Sequence, residues 1–386
     1  MPLEAIGTLD LPTLLFPLQA PPIDPSAPPS ESGYSTILIV AIAVITALGG
    51  GAFGASIGAL PAFAFCGFMV IAGAVATAIG LEGASTSLYV AAFGPLFGPH
   101  VAFAGGAAAH AYAAKYHPEL QEQDGWGYHP AKNILIPTGT NPKVLAVGAV
   151  FGAGGQLLKM GTDFVTGTQM SLGFAHIAWV IVLSAFVHRA AFGYSLVGDR
   201  QEVARRVGST VGGTSWLSFD LDEAEPHLPW QFNWGEVLFI GGLVGLISGY
   251  ITIITQSPWV MFGISAATLL FLCNNYGLRP DTDRSGTPVT HHITLPASVA
   301  AHAVFFQMQS TPVNPLVYAT FWALIFGVAG AFFRELTERL FYAWGDTHLD
   351  PPSFSITITV ILLVLLSNLG IIGAPNAYQS ITFHPY

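Results

Sequence analysis

The sequence predicts an all-α integral membrane protein of about ten transmembrane helices, built as two inverted five-helix repeats with interrupted or short third and eighth helices. Three observations predict it. Hydrophobic residues make up 52% of the chain and charged residues only 9%, with 43 glycines, whereas a soluble domain carries roughly 25% charge. The basic residues fall in alternate inter-helix loops. A phrase with two histidines recurs once in each half, as His100-x9-His110-Ala and His292-x9-His302-Ala.

Residues 1–33 are proline-rich and acidic, without the basic leader or cleavage motif of a secretory signal, and read as a disordered extracytoplasmic tail. Apolar stretches long enough to span about 30 Å follow at roughly 34–58, 61–80, 99–115, 143–160, 171–193, 235–256, 258–275, 291–309, 314–334 and 353–374. The segment 87–99 is also apolar, but Gly94, Pro95, Gly98 and Pro99 break it, so it reads as a re-entrant or interfacial piece leading into the third helix. Cys66 and Cys273 lie far apart in apolar runs and read as reduced packing residues.

Lysine and arginine are retained in cytoplasmic loops. With the N-terminus outside, eleven of the twelve basic residues become cytoplasmic, Lys159 being the exception. This places both termini outside the cell membrane and divides the chain into a first repeat (34–193), a cytoplasmic linker (194–234) and a second repeat (235–386). An odd number of helices per repeat makes the second copy enter from the opposite side. Further landmarks recur in the same order: Pro61 with Pro258, Gly80-Leu81 with Gly277-Leu278, and Asn141-Pro142 with Asn314-Pro315.

His100 and His292 then stand at the entrances of the third helices on opposite sides of the membrane. His110 and His302, ten residues further in at about 15 Å of rise, fall near the centre as a pseudo-symmetric pair. An imidazole donates, accepts and gains a proton near neutral pH, which suits a proton relay, a polar solute or a metal ion alike. A packing role, with the ring bonded to a neighbouring carbonyl, is the alternative. His176 in the fifth helix is placed to face the same cavity, while His188-Arg189 falls at its inner, interfacial end.

Asp346-x-His348-x-Asp350, before the tenth helix, has the spacing of a weak metal site. Lys159 and Asp163 form an i,i+4 pair, and Arg334, Glu335, Glu338 and Arg339 read as an amphipathic cytoplasmic continuation of the ninth helix. No Walker A loop, GxGxxG after a strand, GxSxG elbow at a strand-to-helix turn, HExxH or CxxC motif occurs. No cofactor is expected, and the mixed charges of the linker offer no basic stripe for nucleic acid.

Phe103-Ala104-Gly105-Gly106-x3-His110 resembles the segment of ammonium channels that carries one of their paired pore histidines, and those channels are also five-helix inverted repeats. The likeness covers about eight residues. In that family the histidines belong to the last helix of each repeat, and an aspartate stands where this chain has Ala102. The likeness therefore does not make the chain a member.

These readings favour a transporter or channel for a small solute or ion, its central site lined by His110, His302, His100, His292 and His176, with the lipid bilayer as its surroundings. The alternatives are a membrane-embedded metal-binding subunit or enzyme, or a structural subunit. Oligomeric state stays open, a homo-oligomer included.

Overall fold

A computed structural model describes residues 36–120, 128–166, 173–211, 216–217, 220–275, 286–308 and 314–373. The proline-rich tail lies outside the described residues, as do Arg279 and Arg284. The regular elements among the described residues are all helical.

The first half contains α1 (Thr36–Ile57), α2 (Ala59–Ala78), α3 (Glu82–Phe93), α4 (Ala102–Tyr116), α5 (Pro142–Thr166) and α6 (Gly173–Phe192). The linker carries the short α7 (Arg200–Arg206). The second half contains α8 (Trp234–Thr255), α9 (Trp259–Ala267), α10 (His291–Met308), α11 (Pro315–Thr337) and α12 (Pro351–Asn368). A 3-10 stretch, Thr268–Asn275, continues α9, and a π-turn, Glu338–Tyr342, continues α11.

Local chemistry explains several boundaries. Gly80, at φ 77°, ends α2 in the left-handed region that a side chain would resist. Asn141 Oδ1 accepts from the Lys143 N–H at 3.0 Å, and Asn314 Oδ1 accepts from Leu316 N–H at 3.0 Å. In both cases proline fills the first helical position, where no N–H is needed. In the apolar segment 87–99, residues 87–93 belong to the 12-residue α3, and the chain leaves the helix at Gly94, the first of the glycines and prolines expected to break it.

Among the described residues seven helices, α1, α2, α5, α6, α8, α11 and α12, are long and apolar enough to cross a membrane, which fits a multi-pass membrane protein. The other three expected spans correspond to α4, α9 with its 3-10 extension, and α10. Residues 102–111 of α4 and 291–301 of α10 are all buried among other helices. A helix wrapped by protein is not required to match the bilayer in length or hydropathy, which explains why they fall short.

In the first half α1 packs on α2, α4 and α5, and α4 packs on α2, α5 and α6, which itself meets α5. In the second half α8 packs on α9, α10 and α11, and α10 packs on α9, α11 and α12, which itself meets α11. The pattern of neighbours is the same. The halves meet through α2 against α9 and α6 against α12. Glycines permit the closest crossings. Gly155 of α5 lies against the His100 carbonyl oxygen and Gly330 of α11 against that of His292, and neither has room for a Cβ.

Candidate functional site

Polar side chains concentrate on the face of the bundle that carries the linker. Asp350 caps α12: its Oδ2 accepts from the Ser353 N–H at 2.9 Å, and Pro351 and Pro352 open the helix. That fixes the carboxylate, whose Oδ1 lies 3.2 Å from His348 Nε2. The His348 ring is enclosed by aromatics, with centroids 5.3 Å from His227, 5.2 Å from Tyr342 and 5.7 Å from Phe103.

Arg334 supports this group from α11. Its guanidinium donates to Gln231 O at 2.7 Å and to His227 Nδ1 at 3.0 Å, and pairs with Glu335 at 2.8 Å and with Glu338. Glu338 Oε1 accepts from the His227 backbone N–H at 2.8 Å, while Arg339 pairs with Glu335 at 2.7 Å and donates to Leu217 O and Phe232 O. Arg334, Glu335, Glu338 and Arg339, expected on an amphipathic surface helix, are all buried. Leu217, Gln231 and Phe232 of the linker lie over them and supply the carbonyls that make burial tolerable.

The arginine also fixes a tautomer. A guanidinium only donates, so His227 Nδ1 accepts and the ring proton resides on Nε2. Burial and the neighbouring Arg334 hold the His227 pKa well below the usual histidine value. Ligand atoms of His227, His348 and Asp350 all lie within 4.8 Å of one another. His227, though, offers a metal no lone pair unless it gives up the bond from Arg334.

Among the described residues four buried ring nitrogens nearby lack a hydrogen-bond partner: Nδ1 of His348, Nδ1 of His291 and both nitrogens of His292. The His291 and His292 rings are in contact, centroids 5.8 Å apart. His291 lines a small internal cavity with Asp350, Ser353, Phe63 and Phe103, with room for about one water molecule.

A second charge cluster joins the halves on the same face. Glu225, fully buried, pairs with Lys132 at 2.8 Å and with Arg206 at 2.6 Å, and Arg206 reaches Asp346 at 2.9 Å. Burial alone would raise the Glu225 carboxyl pKa, but Lys132 and Arg206 outweigh it and hold the group below the ordinary carboxylate range. At the end of α6, Arg189 donates to Thr347 Oγ1 at 2.9 Å and to the carbonyls of Phe341 and Thr347 at 3.0 Å. His188 Nε2 meets the same Thr347 hydroxyl at 3.0 Å. The first half thus clasps the loop that carries His348.

The residues singled out from sequence divide accordingly. His348 and Asp350 come together, whereas Asp346 turns away to Arg206. His110, midway along α4, has Nδ1 2.8 Å from Gly106 O and Nε2 2.7 Å from Ile136 O. His302 is half-buried on α10, whose main neighbours are not those of α4. His100 Nε2 bonds Gln156 Oε1 at 2.9 Å. His176 Nδ1 lies 2.7 Å from Asp163 Oδ1, and Lys159 pairs with the other oxygen of that carboxylate at 2.6 Å. His227 carried no signal in the sequence, being a lone histidine in a loop without periodicity.

No curated protein and no solved structure matches the chain. A family model described as a family of unknown function, DUF7973, matches residues 34–381, and the chain belongs to that family.

Proposed function

We propose that the protein is a multi-pass membrane transporter or channel for a small solute or ion, built from two inverted five-helix repeats, 34–193 and 235–386, with both termini outside. The reading rests on one observation above all: α4 and α10, the helices that carry His110 and His302, have equivalent neighbours and are each crossed by a glycine at the carbonyl of the entrance histidine. Helices held by equivalent partners in two halves are the frame in which secondary transporters set a central pathway. His110 and His302 are its inner residues, His100 and His292 its ends, and His176 a lateral one.

Reconstitution tests this. Proteoliposomes with an entrapped pH dye and an imposed potassium diffusion potential report proton flux, and a panel of labelled cations and small neutral solutes reports uptake. Flux above empty liposomes, reduced at least about tenfold (roughly 1.4 kcal/mol) by His110→Ala and His302→Ala, is the expected result. Flux unchanged by both substitutions removes the histidine pathway. No flux of any probe removes the transport reading. The alternative of a metal-binding membrane subunit is favoured by the proximity of His227, His348 and Asp350.

A further inference from the structure

We propose that the linker-face cluster is a binding site for a divalent transition-metal cation of the zinc type, with His348 and Asp350 as ligands and His291 as the third donor. The site is distinct from the His110 and His302 pathway, and binding does not require transport.

The donor set selects the ion class. Imidazoles with one carboxylate suit zinc, cobalt or nickel, whereas calcium and magnesium take shells of oxygen. All three side chains are buried, Asp350 at 7% exposure, His348 at 3% and His291 at 4%. His348 turns Nε2 towards Asp350, and among the described residues the enclosed Nδ1 of His291, on the cavity that Asp350 also lines, has no partner, which marks a place where something else binds.

Charge points the same way. Arg334 and Arg339 face Glu335 and Glu338 in ion pairs, two cations against two anions. That leaves Asp350 as the remaining carboxylate. Among the described residues its only ion-pair partner is His348, and its other contacts are the amide and hydroxyl of Ser353. A buried carboxylate without a fixed cation is a site where a bound cation is favoured.

The surroundings complete the case. The cavity beside Asp350 and His291 has room for about one water, which would leave a non-protein ligand on the ion. Phe63 and Phe103 line the same space and limit solvent access. His227, its Nδ1 held by Arg334, packs against the His348 ring and stays outside the ligand set.

The full-length protein, purified in detergent and stripped with a chelator, is titrated with zinc alone against a chromophoric competitor, and with cobalt alone while visible absorption is recorded. One equivalent of zinc is expected, with a cobalt spectrum of low-symmetry nitrogen and oxygen coordination. His348→Gln and Asp350→Asn should each weaken zinc binding by about 10- to 100-fold or more. Asparagine still caps a helix, so Asp350→Asn keeps α12 intact. Asp346→Asn and His227→Gln should bind within about threefold of wild type, the former because Asp346 belongs to Arg206. Absence of stoichiometric zinc and of a cobalt spectrum in the wild type would overturn the site, as would wild-type binding by His348→Gln and Asp350→Asn. Loss of zinc in His227→Gln with retention in His348→Gln would overturn the ligand set. No flux measurement enters, so failure here and failure of the transport reading are separate results.

Discussion

His100 and His292 occupy equivalent places in the two halves and live in opposite chemical circumstances. Each begins the third-helix segment of its half, and each has its carbonyl pressed against a glycine of a neighbouring helix. His100 is bonded through Nε2 to Gln156, while His292 is fully buried and neither of its ring nitrogens has a partner among the described residues. The difference teaches that the same pattern of helix neighbours can carry different polar chemistry. At the His292 end, buried charges of the linker, α11 and the loop before α12 accumulate. At the His100 end, polar groups form a short local chain.

The largest expected effect probes the charged end. Glu225→Gln leaves Lys132 and Arg206 facing a neutral amide, a loss of about 3–5 kcal/mol when one member of a buried pair is removed. Thermal unfolding in detergent should show it at neutral pH. Because the folded Glu225 pKa lies below its unfolded value near 4.5, its contribution is present above that value and fades as pH falls through the depressed one. Wild type and variant should therefore converge in acid, and a gap that persists there would mean that the ion pairs are not its source.

The shared frame is tested next. Gly155→Ala and Gly330→Ala each drive a methyl into a backbone carbonyl and should each cost about 1–3 kcal/mol, read by the same unfolding measurement. Equal costs sharpen the equivalence; a tolerated alanine on one side breaks it. The smallest effect separates the histidines themselves. His100→Leu loses a buried hydrogen bond and about 1 kcal/mol, whereas His292→Leu removes two unsatisfied nitrogens and should leave metal-free stability unchanged or higher. Equal destabilisation would show that the two sites are alike after all.

Much of the frame was legible in sequence because bilayer physics writes it there. Apolar runs mark helices, and Asn-Pro marks their starts, as Asn141 and Asn314 illustrate. The candidate site was legible only in fragments. Arg334, Glu335, Glu338 and Arg339 have the same i,i+4 spacing whether a helix face meets water or protein, and only the linker folded over them decides. Asp346, His348 and Asp350 looked like one motif, but the cap on α12 and the pull of Arg206 send the two carboxylates in different directions. His227 arrives from a loop more than a hundred residues before His348, a proximity that no local pattern encodes.

Pro296 gives α10 a mechanical property that α4 lacks. Lacking an N–H, it cannot donate to the carbonyl of His292 four residues earlier, so one rung of the helix ladder is missing next to Gly330. In α4 the corresponding carbonyl is passed over differently: the Ala104 N–H reaches back to Pro99 O at 2.9 Å, and the backbone there stays tied. A helix with a missing rung flexes at that point more readily than along the rest of its length. The first turn of α10, with His291 and His292 on it, is thus a short lever on a soft joint, and its counterpart in the other half is a fixed post.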